Sequence, residues 1–211
     1  MTGKFITFEG IDGAGKTTQI NLLESELKQR GISTLIFREP GGTRLSEKIR
    51  EILLNRENIH LSYESERLLF VAARAQLMAE KIKPALEQDQ FIICDRFADS
   101  TVAYQGYGRG LNVEYLEELN NFATNSIQPD LTIILDVDPS KAAHRMGSDV
   151  ADRMESTGIE FFSRVREGYN EIAHRHPLRC VIIDGDKPAS EVFKPLMKEV
   201  KNKLLKEMSC S

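Results

Sequence analysis

Five short apolar runs punctuate the chain, and none of them alternates with polar residues. They are Lys4-Phe5-Ile6-Thr7-Phe8, Thr34-Leu35-Ile36-Phe37, Phe91-Ile92-Ile93-Cys94, Leu131-Thr132-Ile133-Ile134-Leu135 and Val181-Ile182-Ile183. Runs of this kind predict strands buried on both faces. Between them apolar residues recur three and four apart, which predicts helices over 16–30, 45–54, 63–88, 114–124, 139–146, 158–175 and 189–207. The alternation predicts an α/β fold of three layers, a five-stranded parallel sheet flanked by helices. Ligands in such sheets bind beyond the carboxyl ends of the strands. Those ends carry Glu9-Gly10, Arg38-Glu39, Asp95-Arg96, Asp136-Val137-Asp138 and Asp184-Gly185-Asp186. Charged residues and glycine dominate there, as a phosphate and metal site requires.

The turn after the first strand is the most informative. Gly10 to Thr17 fits the eight-residue phosphate-loop pattern, two glycines separated by four residues and followed by Lys and Ser or Thr. Its residues, Gly10, Ile11, Asp12, Gly13, Ala14, Gly15, Lys16 and Thr17, with Thr18, are the predicted ATP contacts. The glycines let consecutive backbone N–H groups face one anion. Lys16 adds a charge for the β- and γ-phosphates, and the Thr17 hydroxyl suits Mg²⁺. The strand before and the helix after aim a helix N-terminus at the phosphates.

Composition narrows the partners. The 211 residues suit one domain spanning 1–211, with residues 147–157, the least apolar stretch between two helices, as a small mobile lid; a plain surface loop has the same composition. A net charge of −4 argues against a broad nucleic-acid face. No apolar stretch reaches the ~20 residues of a membrane span, and the first strand begins without a signal peptide. Cys94, Cys180 and Cys210 show no metal spacing, so reduced thiols in a cytoplasmic protein are expected. His60, His144, His174 and His176 lie in helical or polar surroundings and are expected to be solvated.

Two further segments carry chemistry. Asp95-Arg96 follows the third strand, where an acid can hold Mg²⁺ and an arginine a phosphate, although a strand-end salt bridge has the same pattern. Arg38-Glu39-Pro40-Gly41-Gly42-Thr43 follows the second strand and reads as a sharp turn in which Thr43 caps the next helix. Phe70 and Arg74 stand four apart on one helix face. Stacking on a base and gripping a phosphate suits that pair; so does core packing with a solvated arginine.

Phe8 to Thr18, Arg38 to Thr43 and Asp95-Arg-Phe-Ala-Asp-Ser-Thr-Val-Ala-Tyr-Gln-Gly106 together resemble thymidylate kinases of the bacterial type, over roughly Lys4 to Leu196. The resemblance implies transfer of a phosphoryl group from ATP to dTMP with Mg²⁺, on the route to dTTP, in a homodimer. It implies that Phe70 stacks on thymine and that Arg74 holds the base and the acceptor phosphate region. Arg96 and Arg38 serve the acceptor phosphate, with Glu39 nearby. Asp95 and Thr17 support the metal. Thr101 and Gln105 read the base edge, with Ser100 in the same substrate-binding set. Tyr104 packs under the deoxyribose, and Asp12 contacts the 3′-hydroxyl. One branch of the family carries an arginine in the phosphate loop where this chain has Gly13. The catalytic arginine is therefore expected from the lid: Arg153 first, Arg145 second, with Glu155 a lid-end acid near the acceptor. Lys16, Arg96, Arg153 and Asp95 form the expected catalytic set. The nearest rival is another nucleoside monophosphate or deoxynucleoside kinase. A P-loop switch would carry an Asn-Lys-x-Asp motif, which the chain lacks.

Overall fold

A computed structural model describes residues 3–58, 60–146 and 158–205. The element order is β1 (Lys4–Glu9), α1 (Lys16–Gln29), β2 (Thr34–Arg38), α2 (Arg44–Leu54), α3 (Tyr63–Leu77), α4 (Lys83–Glu87), β3 (Phe91–Asp95), α5 (Ala98–Thr101), α6 (Val113–Thr124), β4 (Leu131–Asp136), α7 (Pro139–Met146), α8 (Ile159–Arg175), β5 (Cys180–Asp184) and α9 (Ala189–Val200). The five strands form one sheet in the order β2-β3-β1-β4-β5, and every pair is parallel. This is the predicted architecture.

Side-chain alternation on β1 and β3 builds a core on each face. Ile6, Phe8, Phe91 and Ile93 pack with Ile20, Leu23 and Leu27 of α1 and Leu196 of α9. Phe5, Ile92 and Cys94 pack with Leu77, Met78 and Ile82. The expectation that every strand is buried on both faces holds only for β1, β3 and β4. At the sheet edges Leu35, Ile36 and Ile182 are 36–44% exposed, because an edge strand has a neighbour on one side only.

Three helices extend through π-helical segments: Met78–Ile82 joins α3 to α4, Val102–Gly108 continues α5, and Lys201–Leu205 continues α9. The helix spanning 98–108 has no amphipathic signature in the sequence. Thr101 to Gly106 are all buried, and a π-helical stretch departs from the 3.6-residue period. Thr43 caps α2 as predicted, its side chain accepting from the Ser46 N–H. The parallel order places the ends of β1, β2 and β3 side by side, and the site is built there.

Candidate functional site

The β1–α1 turn is held by its own side chains. Lys16 Nζ donates to the carbonyls of Gly10 and Ile11 at 3.1 and 3.0 Å. Ile11 and Ala14 are buried, so the loop is pinned from beneath while Gly15, Thr17 and Thr18 stay exposed. Gly13 has φ +77°, and a Cβ there would sit 2.4 Å from the Ala142 carbonyl oxygen of α7. The backbone of α7 thus fills the space that a side chain at this position would need. Burial, then the neighbouring Arg96, pulls the Lys16 ammonium down to about 8 against the opposing pull of Asp12, Asp95 and Glu9.

Arg96 locks this loop to β3. Its backbone is left-handed, φ +67°, a conformation that costs a non-glycine residue about 1–3 kcal/mol and clusters at functional sites. The turn sends the guanidinium back over the loop. Nη2 donates to Asp12 Oδ1 at 2.6 Å, Nη1 to the Gly10 carbonyl at 3.0 Å, and the group lies 5.0 Å from the Tyr104 ring centroid. Tyr104 donates to the other Asp12 oxygen at 3.0 Å. Burial alone would raise the Asp12 carboxyl; Arg96 and Lys16 outweigh it and hold the group at about 2.

Beneath Arg96 lies Glu9, fully buried. It accepts from the Phe97 N–H at 2.7 Å, the Ser100 hydroxyl at 2.6 Å and the Tyr169 hydroxyl at 2.8 Å. Burial first, and then the Asp99 charge, pushes its carboxyl up to about 7, against Ser100, Arg96 and Tyr169. Ser100 therefore belongs to the support under Arg96 as well as to the cleft wall.

A second cluster is organised by Arg74, which is 1% exposed. Its guanidinium donates to Glu39 Oε2 (2.8 Å), Asn120 Oδ1 (2.6 Å), the Phe97 carbonyl (3.0 Å) and Thr101 Oγ1 (3.0 Å), and lies 5.5 Å from the Phe97 ring. The solvated arginine allowed by the sequence is not what forms. Four of its five N–H groups are committed inside the protein. Glu39 is 4% exposed, and burial raises its carboxyl, with Arg74 opposing.

Two adjoining clefts result. One lies between α3 and the helix over 98–108, beside the ends of β1 and β2. It brings together Asp12, Glu39, Phe70, Arg74, Arg96, Ser100, Thr101, Tyr104 and Gln105, nine of the residues singled out in the sequence. The second is lined by Gly13, Gly15, Lys16, Thr17, Thr18, Arg38, Asp95 and Arg145; Asp12, Glu39 and Arg96 line both. Arg38 is turned to Glu47, with Nη2 at 2.9 Å. Arg145 donates to the Gly185 carbonyl at 3.0 Å. Arg153 and Glu155 lie outside the described residues.

The ends of β4 and β5 stay apart from these clefts; at β5 the Asp184 carboxylate accepts from the Asp186 N–H at 3.0 Å. Asp136 forms a double hydrogen bond with Arg166, and Asp138 caps Ser140 N–H. The sequence reading missed Arg50, which lines both clefts, and Glu66, Asn120 and Tyr169, which hold other residues in place. A signal existed for Glu66 alone: it precedes Phe70 and Arg74 at spacings of four and eight on one helix face.

A profile of the family described as thymidylate kinase matches residues 8–195. The chain belongs to the thymidylate kinase family. A thymidylate kinase of Caldanaerobacter subterraneus is 48% identical over 204 residues, covering 97% of this chain and 98% of that one. One from Thermoanaerobacter sp. strain X514 is 47% identical, with 97% and 100% covered. The crystal structure of thymidylate kinase from Ehrlichia chaffeensis superposes with a TM-score of 0.77 at 38% identity, over 95% of this chain and 99% of that chain. The thymidylate kinase profile runs from the end of β1 into α9 and so takes in all of the elements between. Among the described residues Cys94 and Cys180 are buried free cysteines. Among the described residues no helix is long and apolar enough to cross a membrane.

Proposed function

We propose that this chain transfers the γ-phosphoryl group of ATP to dTMP, giving dTDP and ADP. The observation that carries it is the junction of the two clefts, where phosphate-loop residues and the β2 and β3 ends share Asp12, Glu39 and Arg96. One cleft suits a triphosphate; the other, walled by Phe70 and Tyr104, suits a nucleoside. In-line transfer needs little covalent chemistry, so positioning and charge neutralisation supply the rate. An ionised acceptor phosphate needs no general base.

The residues take distinct shares. Backbone N–H groups of 13–17 and Lys16 hold the donor phosphates. Arg38, Arg50 and Arg96 face the acceptor phosphate. Arg74, with one N–H uncommitted among the described residues, is suited to a base carbonyl more than to a phosphate fork. Phe70 stacks on the base, and the Asp12–Tyr104 pair meets the sugar. Mg²⁺ fits the same place: Asp95 Oδ1 is buried without a hydrogen-bond partner among the described residues, and Thr17 is exposed beside it in the cleft. Bound there through Thr17 and Asp95, the ion would neutralise phosphate charge. Arg153, with Arg145 as the second choice, is the arginine assigned to stabilise the transferring group.

The protein is a cytoplasmic homodimer in this proposal. Leu45 and Ile52 on α2, Leu68 on α3, and Tyr115 and Phe122 on α6 are exposed apolar residues suited to a self-association face. The test of function is ADP release with ATP and Mg²⁺ against dTMP, dUMP, UMP, CMP, AMP and GMP. Preference for dTMP is expected. Preference for another acceptor would overturn the substrate while leaving the fold intact.

A further inference from the structure

Gln105 lines the acceptor cleft, and its side-chain amide can present either a donor or an acceptor. Which end faces the cleft is decided by Glu66. Glu66 is 0% exposed, one turn before Phe70 and two before Arg74 on α3. Its Oε1 lies 3.0 Å from Gln105 Nε2. Its Oε2 is ion-paired with Arg109 Nη2 at 3.6 Å. Arg109 is itself held between two rings, with its guanidinium 4.9 Å from the centroids of both Tyr63 and Phe161. An ion-paired carboxylate has no proton to donate, so it accepts only. The amide nitrogen of Gln105 must therefore turn to Glu66, and the carbonyl oxygen is the end left for the cleft.

We infer that Glu66 is a specificity-determining positioning residue, which fixes the Gln105 amide so that the site presents an acceptor to the base. The inference rests on the dTMP reading above. Thymine and uracil carry a donor at N3 beside a carbonyl at C4; cytosine carries an acceptor at N3 beside an amino group. A Gln105 carbonyl presented beside an N–H of Arg74, which lines the same cleft, would match the first edge and oppose the second. Nothing in the Gln105 side chain alone sets this preference. A site whose polar groups are fixed rejects a mismatched analogue strongly, because the buried groups are left unpaired.

The test compares kcat/KM for dTMP and dCMP in the full-length enzyme with ATP and Mg²⁺. Glu66→Gln keeps the size of the side chain but can donate as well as accept, so the Gln105 amide is free to turn over. The dTMP/dCMP ratio should fall roughly ten- to a hundredfold, mainly through a gain on dCMP relative to dTMP. A purely structural contact would lower both substrates by the same factor; an unchanged ratio overturns the inference. The swap Glu66→Gln with Gln105→Glu decides the matter if the single variant does not fold by thermal denaturation. Its pocket-facing group is again acceptor-only, so it should keep the dTMP preference within about tenfold of the parent, and loss of that preference overturns the proposal. A parent enzyme that prefers an acceptor other than dTMP would instead refute the functional reading, before either variant is considered.

Discussion

Replacing Arg74 by methionine removes the centre of the acceptor wall while keeping much of its bulk. Four hydrogen bonds go at once, to Glu39, Asn120, the Phe97 carbonyl and Thr101. The largest effect falls on Glu39, which is 4% exposed and whose Oε1 has no hydrogen-bond partner among the described residues. Arg74 is the group that offsets burial of this carboxylate. Breaking one side of a buried ion pair costs about 3–5 kcal/mol, a large part of a domain's ~5–15 kcal/mol. Urea unfolding at pH 7 without nucleotide measures it. Adding Glu39→Gln removes the stranded charge and should restore about 1–3 kcal/mol, so the two substitutions should be far from additive. The pH sign follows. Without Arg74 the folded-state pKa of Glu39 rises further above its ordinary 4.5. A raised carboxyl contributes stability at low pH that is lost as pH rises past 4.5, so the deficit of the single variant should shrink towards pH 5 and that of the double should not. A loss below about 1 kcal/mol, or additive variants, would refute the role assigned to this pair.

Gly13→Ala should destabilise by at least the ~1–2 kcal/mol of a left-handed alanine and weaken ATP binding, because the new Cβ meets the α7 carbonyl at 2.4 Å; a melting temperature equal to the parent's would contradict the packing of α7 on the loop. Glu9 should make stability fall as pH rises from its ordinary 4.5 through about 7, since the folded protein holds the proton longer than the unfolded chain. The 2.5-unit window corresponds to roughly 3 kcal/mol. Urea unfolding at pH 5 and pH 8 should show that slope reduced in Glu9→Gln, and parallel slopes would reject it. Arg153→Ala should lower kcat by about 10³–10⁵ with a much smaller change in KM; a loss of a few-fold, with a large loss in Arg145→Ala, moves the role to Arg145.

The sheet was legible because its central strands are nearly all apolar and do not alternate, and its turns are written in glycine and charge. The phosphate loop was legible for the same reason, as a local pattern of eight residues. What escaped was long-range. Nothing near Arg74 in sequence announces Asn120, 46 residues away, or Glu39, 35 residues before it. Helix 98–108 escaped because all-round burial and π-helical geometry erase the amphipathic signal. Tyr169 lies 160 residues from the Glu9 that it supports. Such polar groups are placed by topology, once β1 and β3 lie side by side.

That placement also ranks the arginines. Each cation of the site is already partnered, so an incoming phosphate competes for it. The Arg38–Glu47 pair is half-exposed, with side chains 47% and 41% accessible, and such pairs are worth about 0–1 kcal/mol. Arg38 can therefore exchange Glu47 for a phosphate at small cost. Arg96 keeps Asp12 and the Gly10 carbonyl on one edge and lies 15% exposed, so it can add a ligand while holding its partners. Arg74 cannot be drawn away, because leaving Glu39 unpaired costs several kcal/mol. Its position is fixed before any substrate arrives. In the proposed reaction, a fixed donor against the base and exchangeable donors against the phosphate would divide the work: the rigid end would select the nucleobase, and the exchangeable end would accept charge that changes during transfer.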